Sequence, residues 1–167
     1  STETDYFTSV PVKYLPVPND WYFRNSCGPA SAKVAISVRK PIDQIPWIAT
    51  IGNAIDNDCG YANCWMNGIE DADLSRLVNY LNQQLGLDQS ALAYIRSGSF
   101  VEYDNPSLNL GAQSFRNKLI TAVERNKAMI FGVSTGQMPN WNGRNVLHIA
   151  TGYGYYRSVD VYGNQMT

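Results

Sequence analysis

Arg24-Asn25-Ser26-Cys27-Gly28-Pro29-Ala30-Ser31-Ala32 is the stretch on which the fold turns, because loop-forming residues give way within it to small residues suited to a helix. Pro29 fits the first helical turn, where a missing N–H costs little, and Pro41 closes the run. Ala30, Val34 and Val38 recur at intervals of four and, joined by Ala35, predict one apolar face on a helix from Pro29 to about Arg39. Cys27 therefore stands at a helix start, where the positive end of the macrodipole and nearby unpaired amides favour thiolate, the nucleophilic form. The chain has a single histidine, His148, so the base for such a thiol has one candidate.

Working outward, residues 1–20 carry Pro11, Pro16 and Pro18 and read as an extended arm leading into the Cys27 turn. Residues 42–69, with three glycines and four asparagines, predict a long connection holding at most a short helix. Leu74, Leu77, Val78, Leu81 and Leu85 predict a second amphipathic helix, closed by Gly86 and packed on the first. After a loop at about 97–112, Phe115, Leu119, Ile120 and Val123 mark a third helix, with Arg125 and Lys127 at its C-terminal end. Ala128 to Val133 and Val146 to Tyr153 are short apolar runs expected to be strands, and Val159-Asp160-Val161-Tyr162 predicts another before the Gly163-Asn164 turn signal. Helices followed by an antiparallel sheet argue for an α+β fold. The whole chain, 1–167, reads as one domain with a helical lobe over about 20–95 and a sheet lobe over about 112–167.

Composition narrows the classes of function. With 167 residues, 44% of them hydrophobic, the chain has material for one well-cored domain rather than a disordered segment. Thirteen basic residues against 14 acidic ones, without a basic cluster, give no electrostatic reason to expect nucleic acid or an anionic membrane as partner. No apolar stretch approaches the roughly 20 residues that span a bilayer, and the N-terminus lacks the pattern of a signal peptide. A start at Ser1 suits a mature or trimmed form. Cys59 and Cys64 are close enough in a turn-rich segment to form a small disulfide loop, or both are reduced. In the first case Cys27 is the odd thiol and needs a reason to be free. One histidine and two close cysteines fall short of a structural zinc set, so neither a metal nor another cofactor is expected.

Asn25-Ser26-Cys27-Gly28-Pro29-Ala30-Ser31, followed near the other end by a helix, an apolar strand and Leu147-His148-Ile149-Ala150-Thr151-Gly152-Tyr153, resembles the papain-like cysteine peptidases. The nearest branch is that of the bacteriocin-leader peptidases and their secreted bacterial relatives. The likeness covers about residues 8–40 and 112–165 and leaves the middle unmatched. It implies a cysteine at a helix start in one lobe, a histidine from the sheet of the other, and an active site between them. It also implies an asparagine or aspartate that orients the imidazole. Asn164, 16 residues after His148, suits that role; Asp160 is the rival, and the chain end leaves room for neither to be the one. Where the family places an oxyanion-stabilising glutamine, six residues before the cysteine, this chain has Trp21. The amide of Cys27 and the side chain of Asn19 or Asn25 are the substitutes, with Asn19 preferred.

The chemistry follows from the residue types. Amide cleavage needs a nucleophile, a base that returns its proton to the leaving amine, and donors for the tetrahedral oxyanion. Cys27 and His148 supply the first two as a thiolate and imidazolium that stabilise each other. Cys64-Trp65 also resembles the cysteine-tryptophan pair of papain-type and transglutaminase-type nucleophiles, but Met66-Asn67-Gly68 breaks any helix behind it. Tyr153, Tyr155, Tyr156 and Trp141 line a groove or serve as packing. The expectation is a cysteine endopeptidase acting on protein or peptide substrates, secreted or extracellular, or delivered into a host or target cell. A transglutaminase-type acyl transferase, a catalytically inactive papain-fold binding module and an immunity or adhesin-like interaction domain share parts of the same residues.

Overall fold

The computed structural model describes residues 4–13, 15–55, 63–69, 74–85, 93–95, 110–159, 162 and 165–166. Four helices and two three-stranded sheets make an α+β chain: β1 (Thr4–Ser9), α1 (Cys27–Ile36), α2 (Ile48–Ile55), α3 (Leu74–Leu85), β2 (Ala93–Ile95), α4 (Leu110–Glu124), β3 (Met129–Ser134), β4 (Leu147–Gly152), β5 (Gly154–Val159) and β6 (Gln165–Met166). One sheet has the order β1-β5-β6 and is antiparallel; the other has the order β2-β3-β4, with β2 parallel to β3. Two sheets, one of them with a parallel pair, stand where a single antiparallel sheet was expected. The N-terminal arm is a strand against β5, and a strand from the helical part enters the sheet of β3 and β4. Period-2 patterning is weak in Thr4–Ser9, so only the partner across the sheet reveals it as a strand.

α1 departs from the expected face in an instructive way. Gly28, Ser31, Ala32, Ala35 and Ile36 are buried, while Ala30, Val34 and Val38 are only half-buried. Both sets fit helical spacing, but the smaller side chains let the helix approach β4 and β3 closely. Lys13 ties the arm to the far end of α1: its Nζ donates to the Ser37 carbonyl at 2.8 Å, where the dipole favours a cation.

The connection after Pro41 contains a full helix, α2, whose Ile48, Ile51, Gly52 and Ile55 are buried. A Cβ on Gly52 would overlap the Trp65 ring, so the bare backbone is what lets α2 close over that indole. The turn Cys64–Asn67 buries Cys64 and Trp65, and Cys64 is disulfide-bonded. Cys59 lies outside the described residues. Cys64 is therefore excluded as a rival nucleophile, and Cys27 carries the free thiol.

α3 has the bounds the sequence predicts and packs Leu77 and Leu81 into the core beside α1; Gly86 lies outside the described residues. α4 starts at Leu110, before the expected position, and ends at Glu124; two residues on, Asn126 at φ 58° takes the left-handed conformation that stops it. The core runs without interruption from Val10 through α1, α2 and α3 to Ile130, Ile149 and Tyr155. A second cluster, Ala122 and Met129 with Phe115, Leu119 and Phe131, fills the other face of β3 under α4. The chain passes from β4 to β5 at Tyr153, which accepts a bond from the Val10 N–H. β5 begins at Gly154, earlier than the expected strand Val159 to Tyr162, of which Asp160 and Val161 lie outside the described residues and Tyr162 lies in a turn.

Candidate active site

Cys27 is the first residue of α1. Ser26 precedes it but does not cap the helix with its side chain; its Oγ donates to the Phe23 carbonyl at 2.8 Å instead. The amides of Cys27 and Gly28 have no partner among the described residues, and Pro29 has no N–H to offer. Two free donors therefore stand beside the half-buried thiol, at the end of the helix where negative charge is favoured. The Gly28 amide is a donor that sequence reading did not name. Its signal was Ser26, a good capping residue diverted by the tight turn from Trp21.

His148 is the second residue of β4, opposite Val133 of β3. Its relation to Cys27 follows from the bonds that join strand and helix. Ser31 Oγ donates to the Ile149 carbonyl at 3.0 Å, and the Ser31 carbonyl accepts from Thr151 Oγ1 at 2.8 Å. The Thr135 N–H donates to the Val146 carbonyl at 3.0 Å. Antiparallel alternation then turns the Val146 and His148 carbonyls toward β3 and that of Ile149 outward. α1 thus covers the open edge of β4. Helical side chains lean toward the N-terminus and helical carbonyls point toward the C-terminus. Ser31 reaches Ile149 with its side chain and Thr151 with its carbonyl, so helix and strand run in the same direction. Cys27, four residues before Ser31, lies about 6 Å back along the helix axis at 1.5 Å per residue. That is the level of the first residues of β4.

The two side chains approach this level from different sides. Alternation along β4 sends Ile149 into the core shared with α1 and puts His148 on the face of Phe131 and Gly152, the face on which Leu119 of α4 packs. The thiol, packed against the core that holds Ile149, and the imidazole thus lie on different sides of β4, and no hydrogen bond joins them among the described residues; at the start of the strand Leu147 is 75% exposed. Trp141 stands against His148 with ring centroids 5.1 Å apart and the planes tilted by 55°. Burial holds the His148 pKa below its ordinary value, so the ring is a neutral imidazole at pH 7. It can accept a proton from the thiol; a standing imidazolium is not what this environment favours.

The supporting residues are placed less completely. Asn164 and Asp160, the candidates for orienting the imidazole, lie outside the described residues. Asn25 is exposed and gives an amide hydrogen to the Met66 carbonyl at 2.9 Å, which ties the turn before α1 to the Trp65 segment. Asn19 is exposed next to Asp20, whose carboxylate accepts from the Tyr22 N–H at 3.1 Å. Trp21 is 72% exposed, edge-on to Tyr22. From Tyr22 a run of edge-to-face contacts passes to Phe23 and on to Trp47, over which Lys33 sits. Among the described residues no three metal-ligating side chains are grouped, and no helix is long and apolar enough to cross a membrane. Set beside known proteins, the chain matches no family model, no curated protein and no solved structure.

Proposed function

We propose that the protein is a cysteine peptidase of papain-like type, in which Cys27 attacks the peptide carbonyl and His148 carries the proton. The observation that supports this reading is the run of α1 along the open edge of β4, since the Ser31 bonds put Cys27, the free thiol among the described residues, level with the start of the strand that carries the chain's one histidine. His148, neutral at pH 7, takes the thiol proton as sulfur bonds to carbon and returns it to the departing amine. In this reading the amides of Cys27 and Gly28 donate to the oxyanion that forms between these steps. Water then releases the acyl group; a primary amine in its place makes the same centre a transferase. A disulfide at Cys64 beside a free Cys27 suits a protein that works outside the reducing cytoplasm, on protein or peptide substrates.

A second reading, a binding module on the same fold, is favoured by the face from which His148 projects. Iodoacetamide separates the two. Rapid alkylation of Cys27 that slows on His148→Ala, together with cleavage of an unstructured polypeptide, supports the peptidase. Slow alkylation indifferent to His148, with no cleavage, supports the module.

A further inference from the structure

The segment between β3 and β4 is built more firmly than a connecting loop requires. Thr135 is fully buried, and each of its polar groups is used. Its N–H donates to the Val146 carbonyl at 3.0 Å and its carbonyl accepts from the Met138 N–H at 2.9 Å. Its hydroxyl donates to the Arg144 carbonyl at 2.6 Å and accepts from the Val146 N–H at 3.0 Å. One threonine thus holds the start of the loop to its end, two residues before His148. The Gly136 N–H adds a bond to Asn145 Oδ1 at 3.3 Å. Between these ties the Arg144 N–H donates to the Trp141 carbonyl at 2.9 Å, with Asn142 at φ 51° and Gly143 at φ 75°. Two positive φ values in succession make the tight, right-twisting kind of turn. Trp141, at the head of that turn, is the residue laid against the imidazole.

We propose that Thr135 is a positioning residue for His148: its buried hydroxyl fixes both the loop that lays Trp141 on the imidazole and the entry to the strand that carries it. This assignment draws its meaning for catalysis from the peptidase reading, but it is tested on the histidine directly. Trp141 displaces water from one side of the ring, so the loop's rigidity becomes a property of the base. Charge does not explain that environment. β3 and β4 hold no other titratable side chain, and Arg144 in the loop and Arg116, Lys118 and Glu124 on α4 are exposed; α1 contributes Cys27 and the half-buried Lys33, which sits over Trp47.

Because the chain has one histidine, its imidazole proton resonance titrates alone in an NMR spectrum. Thr135→Val keeps the shape and removes the hydroxyl. Its midpoint is expected to rise toward the ordinary 6.5, and Thr135→Ser to restore the native midpoint. If Thr135→Val does not fold, Trp141→Ala carries the same expectation and Trp141→Phe retains the native value. A folded Thr135→Val or Trp141→Ala protein with an unmoved titration overturns the assignment. The two ideas fail separately. Shifted midpoints without any Cys27-dependent hydrolysis leave the positioning role and remove the peptidase; hydrolysis with unmoved midpoints does the reverse.

Discussion

The two ends of the seam between α1 and β4 differ in how fully they are closed. At Ser31, Ala32 and Ala35 the helix is buried, and Ser31 spends its hydroxyl and carbonyl on the strand. One turn earlier Cys27 and His148 are both half-buried, two helix amides have no partner among the described residues, and Leu147 stands in solvent. The same helix and strand thus provide a closed end that fixes their register and an open end that leaves donors and a thiol unspent. Satisfied polar groups stabilise; unsatisfied ones at a helix terminus remain available to a ligand.

This contrast can be broken from either end. The largest effect is expected at the open end: Cys27→Ala should lower hydrolysis at least about 10³-fold, while urea unfolding moves by less than about 0.5 kcal/mol. A large loss of stability instead would make Cys27 a core residue. At the closed end Ala32→Leu should cost about 1–3 kcal/mol through overpacking, visible as a lower midpoint in the same urea titration. Ser31→Ala leaves the Ile149 carbonyl without its partner and should cost about 1–2 kcal/mol. If the seam sets the register of the site, that variant also slows alkylation of Cys27 while folded; unchanged alkylation would mean that the two ends are independent.

The smallest effect is expected from pH. The folded-state pKa of His148 lies below its unfolded value of 6.5. Above 6.5 neither state binds the proton and the contribution is complete. As pH falls from 6.5 toward the folded pKa, the unfolded chain gains a proton that the folded chain does not, and stability declines. The decline should be absent from the difference curve in His148→Gln, measured by urea midpoints across that range. Stability that rises over the same interval would place an anion at the ring.

How much of this was readable in the sequence can be argued residue by residue. The small-residue run after Cys27 predicted the helix and its start, and Leu74 to Leu85 predicted α3 to the residue. α2, eight residues long, is the short helix the sequence allowed within 42–69, but Gly52 and Asn53 looked like loop residues and hid where it lies. Gly52 is there because Trp65 leaves no room for a side chain. The face of α1 was misjudged for a related reason: larger valines outweigh alanine and serine in a hydrophobic pattern, but close approach to β4 rewards the smaller ones. β1 carries little strand signal of its own. It owes its state to β5, where Phe7 and Tyr156 stack across the ladder at 4.6 Å. The pair Cys27 and His148 was singled out by residue type and local context alone. Nothing local could say that Asn25 would be tied to Met66, or that Thr135 would hold the loop before His148.

By itself the sequence determined local events: the bounds of α3, the helix that follows Cys27, and that a single imidazole exists. These depend on propensity, capping and turn chemistry within a few residues of each other. Tertiary structure alone decided which face of α1 is buried, that α1 lies along the edge of β4 in the same direction, and that Trp141 rests on His148. The first two depend on steric fit and hydrogen-bond satisfaction between residues more than a hundred positions apart, such as Ser31 and Ile149; the third depends on Thr135 tying the two ends of the loop before His148, a choice of partners that hydrophobic periodicity does not record.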